Sequence, residues 1–147
     1  NNFTRGAYHY FRPNENSLEQ ANNYIKNVKL APGDLPPILD IEKISSVQSL
    51  KSLKTGIKNW LEIIEDHYGI KPMIYTGAHY FNDHLKDEFT NYIIWIANYN
   101  KVEDPLKNQN WSFWQFSDNG TVPGIKGPVD LDLFNGNLVE FKKYLLK

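Results

Sequence analysis

The sequence predicts an α/β fold built on a mostly parallel sheet. Short apolar runs alternate with helical patterns along the chain, as in successive βαβ units. Residues 92–97 are apolar nearly throughout, as a strand buried on both faces requires. No glycine-rich phosphate loop follows any strand, which weakens an open doubly wound nucleotide-binding sheet and leaves a barrel as the rival. A complete eight-stranded barrel takes about 200 residues or more. Six strands in 147 residues read as most of a barrel with an end missing.

The elements follow in order. Residues 6–11 form the first strand, ended by Arg12-Pro13. Ser17 with Gln20 three positions on reads as a capping box. Leu18, Ala21, Tyr24, Ile25 and Val28 keep helical spacing until Pro32-Gly33 turns the chain. Residues 36–42 are the second strand. A long helix follows, with Val47, Leu50, Leu53, Ile57, Trp60, Leu61, Ile64 and Tyr68 at intervals of three or four. Ser45 or Ser46 is expected to cap it and Gly69 to end it. Residues 73–76 are the third strand, 80–85 a short helical segment, 92–97 the fourth strand and 111–116 the fifth. Asn119-Gly120 and Pro123-Gly124 mark a loop or hairpin before a sixth strand at 129–133, and a helix over 137–146 closes the chain.

Composition narrows the function. Sixteen basic against seventeen acidic residues give a net charge of −1, so nothing suggests a nucleic-acid partner. No apolar run reaches the roughly 20 residues of a membrane span. With no cysteine there is no disulfide framework, thiolate metal site or Cys nucleophile. His79 and His84 lie five apart and His9 and His67 stand alone, so no metal motif forms and no cofactor is expected. Lys51 to Lys58 read as the solvated side of the long helix. No secretory signal is visible.

Chemistry gathers at strand ends. Asp40 and Glu42 occupy alternate positions at the carboxyl end of the second strand, hence one face, about 6.6 Å apart along it. Active sites of α/β folds form at that end, and paired carboxylates suit glycoside cleavage. In this reading one carboxyl of the pair stays protonated and donates to the leaving oxygen, while the other stays ionised and steadies the charge growing on the sugar ring. Asp130 and Asp132 repeat the spacing on the last strand. Aromatics make up 14% of the chain, and Tyr8, Tyr10, Phe11, Tyr75, Trp95, Tyr99, Trp111 and Trp114 cluster with Gln115 near strand ends. Each alone fits a core; together they suit stacking on sugar faces.

Six segments carry a resemblance: Gly6 to Pro13, Pro37 to Glu42, Pro72 to Gly77, Trp95-Ile96-Ala97 with Tyr99, Trp114 to Ser117, and Val129 to Gly136. In that order they resemble the family 25 glycoside hydrolases, N-acetylmuramidase lysozymes of bacteria and their phages. The resemblance implies one domain over residues 1–147, a modified, irregular TIM-like barrel. It implies cleavage of the β-1,4 bond after N-acetylmuramic acid in peptidoglycan, in a secreted, wall-associated or phage-encoded protein. It makes Glu42 the proton donor and Asp40 and Asp130 the other catalytic acids, with Tyr75 in the cleft and Tyr8, Trp95, Tyr99 and Gln115 lining it. Asp132 stands where the family often has Asn and receives no role. The family's first two strands and their acid are not found, so the chain is expected to be an N-terminally truncated domain with exposed sheet edges that favour self-association. The alternative function is a non-catalytic fragment that binds peptidoglycan. An α/β protein with no glycan role is a third reading, disfavoured by the Asp40/Glu42 pair.

Overall fold

The computed structural model describes residues 3–107 and 109–147. Its core is one six-stranded sheet, in chain order across the sheet: β1 (Tyr8–Tyr10), β2 (Ile38–Asp40), β3 (Met73–Gly77), β4 (Ile93–Ala97), β5 (Phe113–Gly120) and β6 (Val129–Phe134). Neighbours β1 to β5 pair in parallel, and β6 returns antiparallel to β5. The sheet is open, with β1 and β6 as its outer strands, so the barrel is not closed.

Side chains alternate across this sheet as strand geometry demands. Leu39, Ile41, Ile74, Ile94 and Ile96 point to one face, where helices α1 (Ser17–Asn27) and α2 (Leu50–Tyr68) cover them. Helix α1 contributes Ala21 and Tyr24; α2 contributes Leu53, Ile57, Trp60, Leu61 and Ile64. Each fully buried large apolar side chain adds about 1.5–3 kcal/mol. Ile38, Met73 and Phe113 point to the other face, where Leu35, Phe134 and Phe141 pack on them. Phe141 belongs to the last helix, α4 (Leu138–Tyr144). The tail beyond it is tied back to the turn before β2, Leu146 N donating to Asp34 O at 2.9 Å and Gly33 N donating to Leu146 O. Arg5 clamps the same turn through Asp34, at 2.8 Å. The second face is thus plugged by apolar groups at one end and open at the other.

Several sequence expectations shift by a few residues. Helix α1 is capped by Asn16, which accepts from Leu18 N and Glu19 N, rather than by Ser17. Gln20 is not a capping partner: it is buried and bonds Arg12 N and O, tying down the loop after β1. Helix α2 is capped by Ser49, and Ser45 instead accepts from Val47 N and Gln48 N one turn earlier. Gly69 ends α2 in the left-handed region at φ 66°. The short segment after β3 starts sooner, as α3 (Ala78–Tyr80), and continues as a π-helical turn over Phe81–Leu85. Strand β5 runs on through Asn119-Gly120, because pairing with β6 extends it, and the connection is the exposed stretch 121–128. A Cβ on Gly120 would lie 2.4 Å from Leu131, so only glycine admits this close pairing. Lys54 and Lys58 are not merely solvated; both pair with Glu88.

Candidate active site

At the open end of the second face lies a cleft of about 420 Å³. Strand register builds its wall. Asp40 pairs across to Tyr75, Tyr75 to Trp95, and Trp95 to Phe113. Two positions further on, Ala97 faces Gln115 and Gln115 faces Asp132. Side chains in register share a face, so the cleft collects Asp40, Tyr75, Trp95, Gln115 and Asp132 from five different strands and Asp130 from two residues before Asp132. Tyr75 and Trp95 meet edge to face, ring centres 5.9 Å apart.

Asp40 ends β2, and Glu42 stands two residues beyond it in the loop. Ile41 between them is fully buried on the helix side, which turns both carboxylates toward the cleft. Three bonds hold that loop. Tyr80 Oη donates to Lys43 O at 2.9 Å, Ser45 Oγ to Asn14 Oδ1 at 2.6 Å, and Asn14 Nδ2 to Ser46 Oγ at 3.3 Å.

The electrostatics differ from expectation in one respect. Burial falls on Asp40, whose Oδ1 is out of contact with solvent and has no hydrogen-bond partner among the described residues. Its pKa is pushed up to about 7, by burial first and by the nearby Glu42 charge second. Glu42, the expected proton holder, is the exposed member of the pair. The reason is position: Asp40 is inside the sheet, and Glu42 has left it.

On the opposite wall Trp95 Nε1 donates to Asp132 Oδ1 at 2.8 Å. Burial and neighbouring Asp130 raise the Asp132 pKa, and the Trp95 bond opposes them. Deeper in, Tyr75 Oη and Tyr99 Oη both donate to Gln115 Oε1, each at 2.6 Å. Burial raises the pKa of both phenols, and the nearby carboxylates add to it.

The cleft therefore brings together Asp40, Glu42, Asp130, Tyr75, Trp95 and Gln115, with Tyr8 on its rim at 69% exposure. Tyr99 braces Gln115. Other aromatics lie elsewhere. Phe11 is buried in the helix-side core, and Tyr10 packs under the Lys43 ammonium, 5.7 Å from its ring centre. Trp111 bonds Asp104 and Trp114 donates to Asn98 O, away from the cleft. The cleft also takes in Gly6, Leu35 and Ile38, which the sequence reading did not place there, and Asp132, to which it gave no role. The i, i+2 spacing from Asp130 was the signal available for Asp132. Among the described residues no group of three His, Asp or Glu could hold a metal ion, and no helix is long and apolar enough to cross a membrane. A shallow groove with carboxylates on both walls and aromatic edges between them suits a neutral, hydroxyl-rich chain.

Comparison with known proteins follows the same line. Residues 1–125 match the sequence profile of Glycosyl hydrolases family 25; Asp130 and Asp132 lie beyond the matched span. The protein YegX of Escherichia coli K12 is 38% identical over 145 residues, 99% of this chain and 53% of its own length. The chain thus spans about half the length of the curated relatives it first matches. A family 25 glycosyl hydrolase from Bacillus anthracis superposes with a TM-score of 0.87 at 27% identity, covering 99% of this chain and 70% of that one. A bacterial lysozyme from Streptomyces coelicolor does so with 0.82 at 28% identity, covering 96% and 71%.

Proposed function

The chain belongs to glycosyl hydrolases family 25, and on that premise we propose that it is the catalytic domain of a muramidase. Its substrate is bacterial peptidoglycan, and the bond cut is the β-1,4 link between N-acetylmuramic acid and N-acetylglucosamine. The protein works on cell walls. The observation that carries the reading is the convergence of Asp40, Glu42 and Asp130 on one open cleft.

The geometry supports a division of labour. Glu42, exposed to the cleft, donates a proton to the glycosidic oxygen as the C1–O bond breaks. The sugar ring gains positive charge, and the carboxylates of Asp40 and Asp130 stabilise it from the two walls. Water then adds at C1 and gives up a proton to the Glu42 carboxylate, which restores the starting state. In the free protein Asp40 keeps a proton up to about pH 7, because burial and then the neighbouring Glu42 charge disfavour its ionised form. With a glycan bound, that proton passes through Glu42 to the leaving oxygen and leaves Asp40 as the carboxylate that faces the ring. Trp95 offers an apolar edge to the sugar, its indole orientation fixed by Asp132. Clearing of a wall suspension by the wild type, lost in Glu42→Gln, tests this reading. Wall binding with no clearing by the wild type would favour a non-catalytic binding module instead.

A further inference from the structure

The cleft is rich in acceptors and poor in donors. Asp40, Glu42, Asp130 and Asp132 present carboxylate oxygens. Only two lining side chains carry N–H groups, Trp95 and Gln115. The Trp95 indole N–H is already committed to Asp132 Oδ1 at 2.8 Å. That leaves Gln115.

The Gln115 amide has a fixed polarity. Its Oε1 accepts from both Tyr75 Oη and Tyr99 Oη at 2.6 Å. Both contacts have the length of O–H···O bonds, shorter than an NH₂ donating to a phenol oxygen would give. So Oε1 faces the tyrosines, and Nε2, which has no partner among the described residues, is left for the cleft. Gln115 is only 6% exposed, so its side chain is held rather than free to seek partners. The two phenols, having given their hydrogens to Oε1, offer only lone pairs to a ligand.

Such a site discriminates among polar groups. A sugar hydroxyl can donate to any of the carboxylates. An amide carbonyl only accepts, and it needs a donor. Resting on the muramidase reading above, we infer that Gln115 is a specificity-determining residue that donates its amide N–H to the acetamido carbonyl of the bound amino sugar, with Tyr75 and Tyr99 setting the direction of that donor. The acetamido N–H has the carboxylates to receive it. A deacetylated sugar offers no carbonyl to Gln115 and gains nothing from it.

The test compares kcat/KM for release of reducing ends from one cell-wall preparation, fully N-acetylated or chemically N-deacetylated. Gln115→Glu keeps the shape and the oxygen bonded by the tyrosines but replaces the donor with an acceptor. Gln115→Met removes the donor without adding charge. Both variants should lose about tenfold or more on the acetylated wall and change by less than about threefold on the deacetylated one, the difference made by one lost hydrogen bond. A Tyr75→Phe/Tyr99→Phe pair should lose part of the same preference, because the amide is then free to turn. Thermal melts of each variant show that the fold is kept. Equal losses on both walls, or no loss on either, would overturn the role of Gln115 and leave the muramidase reading standing. A wild type that cuts neither wall would overturn the muramidase reading and this inference with it.

Discussion

Asp40 on β2 and Asp130 on β6 line one cleft, although β3, β4 and β5 lie between their strands in the sheet. Inward-facing side chains connect them as a continuous wall through Tyr75, Trp95, Gln115 and Asp132. Carboxylates drawn from distant parts of the chain are costly to gather, since like charges raise one another's pKa. At Asp40 burial raises the pKa most, and the Glu42 charge two residues on adds to it.

Glu42→Gln removes the proposed proton while keeping size and polarity. Wall lysis should fall by about 10²-fold or more, the usual worth of a positioned general acid. The melting temperature should stay near that of the wild type, because Glu42 is exposed and outside the sheet. Circular dichroism melts beside a turbidity assay check both. Full lytic activity in the variant would remove Glu42 from the mechanism.

Asp40 gives a pH-dependent stability with a definite sign. Its folded pKa is raised to about 7 from the model-compound value of 3.8. The folded state therefore keeps a proton that the unfolded chain loses between those values. The stability is present in full below about pH 4, falls as pH rises toward 7, and stays lost above it. Asp40→Asn abolishes this titration. It should melt like the wild type near pH 4 and be more stable by about 1–2 kcal/mol near pH 8, after discounting for the solvent reach of a half-buried group. Activity should move the other way. The alkaline limb of kcat/KM in the wild type should fall near pH 7, and Asp40→Asn, which removes a charge facing the sugar ring, should lower kcat/KM across the whole range. Melts across pH 4–8 that show the same difference throughout would contradict the assignment.

The pairing of β5 with β6 carries Asp130 and Asp132 to the cleft, and Gly120 sits at its tightest point. Gly120→Ala puts a methyl within 2.4 Å of Leu131 Cγ. It should cost about 1–3 kcal/mol, as overpacking does. Leu131→Ala removes the obstacle, so the double variant should be more stable than the sum of the single changes predicts. Thermal melts of the four proteins give this cycle. Strict additivity would show that the two residues do not meet.

Much of this was legible in the sequence, for physical reasons. The uninterrupted apolar run at 92–97 and the three-to-four spacing of Leu53, Ile57, Trp60, Leu61 and Ile64 mark a buried strand and the helix over it. Asp40-Ile41-Glu42 announced a carboxylate pair at a strand end. Other features depend on contacts that no local pattern encodes. Asn16 outcompeted Ser17 as the cap because Gln20 was drawn inward to Arg12. Trp111 and Trp114 look like cleft aromatics by position, but their indole N–H groups are bonded to Asp104 and Asn98 on the loop after β4. The uneven burial of Asp40 and Glu42 follows from β2 ending at Asp40, a boundary that lies within the usual error of pattern reading.

The most direct test of the account identifies the new chain ends. Purified peptidoglycan is digested with the protein, the products are reduced with borohydride, and the reduced sugar is identified by mass spectrometry. A muramidase leaves N-acetylmuramic acid at every new reducing end, so muramitol should accumulate with the wild type and not with Glu42→Gln. Reduced N-acetylglucosamine in its place, or no soluble fragments from the wild type, would contradict the central claim.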